Sequence, residues 1–324
     1  MSENHNTTMN GTQPSSCSRN PTADKIGKTF AYCLIFLVSL AGNTVIGIIV
    51  CKTKTMRKPI NFLIVNMAMS DLLLPIFLFP SEIQRLYIDF WLIGGPLGQT
   101  LCKLTYFLTG VSSAVSIQSL VLIAVDRFVA VVYPLRYPLI SSKQCPFFIL
   151  ASWIVAMAMY SPYLLALKLV NYPGGRVCIF LWYEAFPDSS SYGNYFSSIM
   201  AVLCFIPLVL IAILYIIIYL ELKSQKNPGE HSVNAEHQRQ QRERNVLKMA
   251  IAIVLGFAVC WLPYNISSFL RLFASDIWSC DFLYFTTATR FMARANCAIN
   301  PCICFIFSKN YREGLKALFK QPQN

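Results

Sequence analysis

The sequence predicts an all-α membrane protein, a bundle of seven transmembrane helices followed by a short amphipathic eighth. Three observations predict it: an apolar composition, seven apolar runs of spanning length, and basic residues clustered between those runs. Of 324 residues, 55% are hydrophobic and 13% charged, whereas about a quarter are charged in a typical soluble domain. A helix needs about 20 apolar residues to cross the hydrocarbon core. The net charge of +12 could attract nucleic acid. Its placement in short clusters is instead what the positive-inside bias of membrane proteins produces, so the expected partner is a lipid bilayer, with no nucleic acid.

The first run, residues 29–51, is bracketed by Lys28 and Lys52. The second, 60–80, holds one acid, Asp71. The third is 104–125, and the fourth lies between Lys143 and Lys168. The fifth covers about 192–220, and the sixth lies between Lys248 and Arg271. The seventh, about 282–307, contains Arg290 and Arg294. Residues 224–241 are polar, rich in Gln, Asn and charge, and read as a flexible loop. Residues 309–319 are amphipathic and basic but too short to span, which suits an interfacial helix. The chain thus divides into a polar tail at 1–28, a transmembrane domain at 29–307, and an amphipathic helix with a short tail at 308–324.

Most of the 27 Lys and Arg residues fall on the side of the C-terminal tail, which is therefore expected to be cytoplasmic. The N-terminal tail is expected outside. Its sequons at Asn6 and Asn10 are glycosylation candidates. It has no apolar h-region, so no cleavable signal peptide is expected. Of the 12 cysteines, Cys17, Cys102, Cys178 and Cys280 fall in outer or boundary segments, where oxidation permits disulfides.

Ionisable groups inside a membrane are costly and mark function. Asp71 sits mid-span. Asn43, Ser112, Ser116, Asn296 and Asn300 can converge on it, an oxygen set that suits a small hard cation. The alternative is a structural hydrogen bond to backbone. Asp126-Arg127 ends the third span, and Glu243 begins the sixth on the same side. Pro207 and Pro263 lie within spans and free carbonyls that neighbours must satisfy.

Read in order, these residues resemble the rhodopsin-like (class A) family of G-protein-coupled receptors. The resemblance covers nearly the whole chain. It rests on Gly42-Asn43, on Leu63, Asn66, Ala68 and Asp71, on Trp91 and Cys102, and on Asp126-Arg127-Phe128. Trp153, Pro207 with Tyr215, Phe257, Cys260-Trp261-Leu262-Pro263 and Asn300-Pro301 continue it. The resemblance implies a disulfide between Cys102 and Cys178. It implies an allosteric sodium ion at Asp71, Ser116, Asn296 and Asn300, with no other cofactor. It implies an activation core of Pro207, Ile117 and Phe257, with Trp261 as the switch beneath the ligand and Pro301 in the seventh helix. Arg127 would pair with Asp126 and Glu243 when inactive and meet the G protein when active. Cys17 and Cys280 remain, as a second bridge or as two free thiols. One departure stands out: Cys304 replaces the final tyrosine after Asn300-Pro301, so Tyr215 lacks its usual partner. The short tail leaves arrestin an open question.

The ligand is approached by exclusion. Thr109 stands where amine receptors of the family carry an aspartate, and Arg294 stands where opsins carry a lysine. A guanidinium cannot form the retinal imine. Glu82, Lys168, Arg271, Arg290 and Arg294 remain as pocket charges, and Glu82 is the acid available to Arg294. With the aromatic outer loop at 171–192 and the sequence running from Asp126 to Leu135, the chain is most similar to neuropeptide receptors. The expectation is a plasma-membrane receptor that binds an extracellular peptide and activates heterotrimeric G proteins. A receptor for a non-amine small molecule is the alternative, and a seven-helix transporter is a more distant one. A transporter needs a route of ionisable groups, and Asp71 is the single mid-membrane acid. The three histidines lie in polar tails or loops, so no enzyme is expected.

An Arg127–Glu243 pair would favour the closed inner face by about 1–3 kcal/mol, as hydrogen bonds to charged groups do. Glu243→Ala is therefore expected to raise basal G-protein turnover several-fold at matched surface expression. Basal turnover no higher than wild type would show that Glu243 is one more solvated charge beside Arg242 and Arg244.

Overall fold

The computed structural model describes residues 21–136, 138–187, 192–224, 233–274 and 279–319, apart from the side chains of Arg136 and of 233–245. Helix α1 is Pro21–Lys52, α2 Pro59–Tyr87, α3 Gly95–Val132 and α4 Cys145–Ala166. A β-hairpin follows, β1 Leu167–Tyr172 and β2 Gly175–Phe180. Helix α5 is Tyr192–Ser224, α6 Val233–Phe273, α7 Cys280–Phe307 and α8 Lys309–Phe319. Helix α8 turns 94° from α7. This is the seven-helix bundle with an eighth amphipathic helix that the sequence predicts.

Several helices outrun their apolar segments. Helix α1 begins at Pro21, about two turns ahead of the uncharged run, and an Asp24–Lys28 ion pair at 2.6 Å supports that extension. Helix α6 begins at Val233, inside the stretch read above as a loop. Composition explains the difference: Ala235, Glu236, Gln238, Arg239, Gln240, Gln241, Arg242, Glu243 and Arg244 are strong helix formers, and only their polarity suggests a loop. The outer loop after α4 is not irregular either. Val170, Val177 and Ile179 favour strand, and Pro173-Gly174 supplies the turn between Tyr172 and Gly175. Gly174 holds φ at +105°, which a side chain would strain.

The helices meet through an apolar core that includes Ile46, Leu63, Val111, Ile117, Ile253 and Phe257. Lipid gives no hydrophobic reason for helices to associate, so polar links and close packing decide the contacts. Asn66 on α2 donates to Ser119 of α3 at 2.9 Å and Ser152 of α4 at 3.3 Å. It also accepts from the Trp153 indole at 2.8 Å. Asn43 of α1 donates to the Cys297 carbonyl of α7 at 2.9 Å. That carbonyl lies four residues before Pro301, the position whose helical bond a proline removes. Beside it Gly42 lies so close to α7 that a Cβ would come 2.7 Å from Pro301.

At the inner end, Arg312 of α8 donates to the Phe305 carbonyl at 3.1 Å and to that of Ile306, which cap α7 with a cation. Tyr311 is buried and packs edge-on to Phe305.

Asn66→Leu is expected to lower stability by about 1–3 kcal/mol, the cost of leaving buried polar groups such as the Trp153 N–H unsatisfied. Thermal unfolding of the detergent-solubilised protein checks it, and an unchanged melting temperature would remove Asn66 as the tie between α2, α3 and α4.

Candidate ligand cavity and inner switch

The outer half of the bundle holds a cavity with two chambers. One, of about 180 Å³, lies between α3, α4, α5 and α6 and is lined by aromatic side chains, Tyr160, Tyr163, Tyr195 and Phe196 among them. The other, of about 270 Å³, lies toward α2 and α7 and is lined by Arg85, Arg290 and Arg294. Tyr106, Thr109, Trp261 and Tyr264 belong to both.

Local structure places these groups. Helix α5 has a widened π turn at Ala201–Phe205, just before Pro207. It turns Leu203 and Cys204 to the aromatic chamber, where the Cys204 sulfur accepts from Asn265 of α6 at 3.1 Å. Helix α2 has a second widened turn at Leu74–Leu78, and the helical segment above it carries Glu82 and Arg85. Glu82 and Arg294 form a two-point ion pair, at 2.5 and 2.6 Å, between α2 and α7. The Tyr32 hydroxyl of α1 accepts from the same guanidinium at 2.7 Å. Both charged side chains are largely buried, at 9% and 13% exposure, so each depends on the other. Arg85 lies over the Tyr106 ring and donates to its hydroxyl.

The bridge between Cys102 and Cys178, with Cα atoms 5.7 Å apart, ties β2 to the top of α3. Two residues further along β2, Phe180 joins an aromatic cluster with Trp182, Tyr192 and Tyr195, of which Tyr195 lines the aromatic chamber. Cys280 is also disulfide-bonded. Cys17, the partner weighed for it, lies outside the described residues, as do the sequons at Asn6 and Asn10.

Deeper, Asp71 is 2% exposed. Ser116 donates to one carboxylate oxygen at 3.3 Å and Asn300 to the other at 2.8 Å. Among the described residues no cation lies within ion-pair reach of it. The amide oxygens of Asn296 and Asn300 are buried without a partner among the described residues. A buried carboxylate with nearby spare oxygens fits a small hard cation.

Trp261 forms part of both chambers and stacks on Phe257 at 5.8 Å. Phe257 and Ile117 share the buried core, and Pro207 is half-buried on α5. At the inner end of α3, Asp126 accepts from Arg127 at 2.6 and 3.2 Å, and both are buried. The Glu243 side chain lies outside the described residues.

Four of the pocket charges read from sequence come together at or beside the cavity, with two qualifications of position. Glu82 acts through Arg294. Arg271 lies at the outer end of α6, where it faces the like charge of Arg290 without lining either chamber. Lys168 stands on β1, two residues beyond the end of α4, where it pairs with Glu184 and lines neither chamber. The sequence reading missed Arg85 and the tyrosines. Arg85 follows Glu82 by one helical turn and Tyr264 follows Trp261 likewise, so helical spacing was the available signal.

Comparison with known proteins agrees with this geometry. The model of the 7 transmembrane receptor (rhodopsin family) matches residues 42–303. The chain belongs to the rhodopsin family of seven-transmembrane receptors. This is a family of receptors and not of enzymes. It is 30% identical over 295 residues to the RYamide receptor of Drosophila melanogaster, covering 89% of this chain and 62% of that receptor. It is 29% identical over 305 residues to Neuropeptide FF receptor 2 of Rattus norvegicus, covering 90% and 72%. A QRFP-like peptide receptor of Branchiostoma floridae is 29% identical over 310 residues, covering 93% and 79%. The chain thus spans less than two thirds of the first of these relatives.

Removing one partner of a buried ion pair costs about 3–5 kcal/mol, because the other charge is left uncompensated. Glu82→Gln is expected to lower the melting temperature strongly, and Glu82→Gln with Arg294→Gln to recover part of the loss. Additive losses in that double-mutant cycle would show that the two charges do not depend on each other.

Proposed function

We propose that this rhodopsin-family chain is a multi-pass receptor of the plasma membrane, with its N-terminus outside, which binds an extracellular peptide and activates heterotrimeric G proteins. The observation that carries the reading is the position of Trp261. It walls both outer chambers and rests on Phe257, which is packed into the core beside Ile117. An occupant of the cavity therefore presses on the residue whose shift must repack that core. Pro263 lies two residues further along α6, where the helical ladder is interrupted and bending is least costly. Bending there moves the inner part of α6 away from α3, where Arg127 is held by Asp126. Released from that pair, Arg127 would face the G protein. The peptide class follows from the relatives, whose names are those of peptide receptors. A two-chamber cavity also offers more than one subsite.

Asp71, Ser116, Asn296 and Asn300 would hold a sodium ion, whose charge would neutralise the buried carboxylate. Cys17 and Cys280 would clamp the N-terminal tail to the start of α7.

The reading is tested by screening a peptide collection on cells that express the chain, with a G-protein dissociation sensor as readout. At least one peptide is expected to activate, and activation by non-peptide molecules alone would replace the ligand class. With an activating peptide in hand, Asp71→Asn is expected to abolish any sodium dependence of its affinity. A sodium response that survives in the variant would place the ion elsewhere.

A further inference from the structure

The charges of the α2–α7 chamber do not cancel. Arg85, Arg290 and Arg294 line it, and no acidic residue is among its lining side chains. Glu82 neutralises Arg294 through two short bonds, and among the described residues no ion pair joins it to Arg85 or Arg290. Arg85 makes its contacts with a neutral phenol, Tyr106. Arg290 has no carboxylate partner among the described residues. Arg271 adds a further positive charge above it. Arg85 is exposed and Arg290 half-buried, and both guanidiniums line the chamber without a carboxylate partner among the described residues. Like charges lining one chamber repel, and an anion between them relieves that repulsion. The group that relieves it best is a carboxylate, which a planar guanidinium binds at two points.

The adjoining chamber has the opposite character. Tyr160, Tyr163, Tyr195 and Phe196 line it, and its volume of about 180 Å³ resembles the ~150 Å³ apolar cavities that accept a benzene ring. Because Tyr106, Thr109, Trp261 and Tyr264 are common to both chambers, groups bound in the two must sit close together on one ligand.

From this juxtaposition we infer that the cavity selects a carboxylate carried beside an aromatic ring, with the acid against Arg85 and Arg290 and the ring among the tyrosines. The free C-terminus of a peptide ending in Phe, Tyr or Trp has this chemistry, and so does a small aryl-alkanoic acid. An amidated terminus places N–H donors where the guanidiniums already donate, and a cationic side chain adds to the repulsion. The inference rests on the receptor reading for its physiological meaning, but its test reads binding alone.

Two matched pairs of probes separate the sources: N-acetylglycyl-phenylalanine as free acid and as C-terminal amide, and 3-phenylpropionic acid and its amide. Each is titrated against the purified full chain in detergent, with thermal unfolding as readout. At least one free acid is expected to raise the melting temperature in a dose-dependent way, with apparent affinity tenfold or more above its amide. Stabilisation by the dipeptide assigns the chemistry to a peptide end. Stabilisation by 3-phenylpropionate alone assigns it to a small acid. Arg290→Gln and Arg85→Gln should each weaken the acid tenfold or more. Arg290→Glu provides a control for folding, since it should lose the acid and gain stabilisation by phenethylamine. Acid and amide binding equally, no acid binding in either pair, or an acid preference that survives Arg290→Glu each overturns the inference. Activation of G proteins by amidated peptides alone would overturn it and leave the receptor reading intact. Acid binding in a chain that activates no G protein would do the reverse.

Discussion

Hydrocarbon neither donates nor accepts a hydrogen bond, and every polar group within the bundle must therefore find its partner inside the protein. In this chain Pro301 removes one bond from the ladder of α7 and frees the Cys297 carbonyl. Asn43 answers it from α1. That bond requires the two helices to touch, and Gly42 makes the approach possible by presenting no side chain to Pro301. One turn away, Asn300 reaches Asp71 of α2, and Asp71 in turn holds Ser116 of α3. The seam continues through Asn66 to α4. Four helices are thus positioned relative to α7 by groups whose bonds water cannot replace, while the apolar side chains on their outer faces meet lipid that discriminates little among them.

The same constraint shapes the outer cavity. A guanidinium at the depth of Arg294 is tolerated only with a partner, and Glu82 provides one. The pair fixes both side chains before any ligand arrives, so the electrostatic character of the chamber is set in advance. The charges left over, on Arg85 and Arg290, lie nearer the outer surface, where partial hydration makes them bearable. Depth therefore separates the structural charge from those available to a ligand.

Much of this was legible in the sequence. Long uncharged runs located the helices, because hydrophobicity over about 20 residues is the condition for spanning. The pairing of Glu82 with Arg294 was legible too, since an intramembrane charge needs a partner and few were on offer. Helix ends were less legible. Val233 begins α6 inside a polar stretch because charge and helix propensity are independent properties, and Glu, Gln, Arg and Ala carry the second without hydrophobicity. The hairpin was hidden because six-residue strands alternate too briefly to stand out beside aromatic residues. The division of the cavity into aromatic and cationic chambers was not legible. It arises from tyrosines on α3, α4, α5 and α6 meeting in space, and from π turns that re-aim α2 and α5, for which an apolar run carries no mark.

The inner end of α7 shows how one departure from the family pattern is absorbed. Cys304 occupies the position of the family's tyrosine and is fully buried, in the same apolar core as Tyr311 of α8. A thiol there acts as a small hydrophobe with little capacity to donate. Tyr215 of α5 correspondingly has a buried hydroxyl with no hydrogen-bond partner among the described residues. The aromatic volume has not vanished, however. Tyr311 fills the angle between α7 and α8, packs edge-on to Phe305, and directs its hydroxyl toward Asn61 of α2 at 3.5 Å. Cys304 is fully buried, so a phenol at that position would overpack a closed site, at a cost of about 1–3 kcal/mol. The phenol of α8 packs into the core beside the inner end of α7 and reaches toward α2, whereas the family's phenol on α7 would face α5. The consequence is a lower segment of α7 whose position is governed by its junction with α8, and an α5 whose Tyr215 must find its partner elsewhere when the inner face opens.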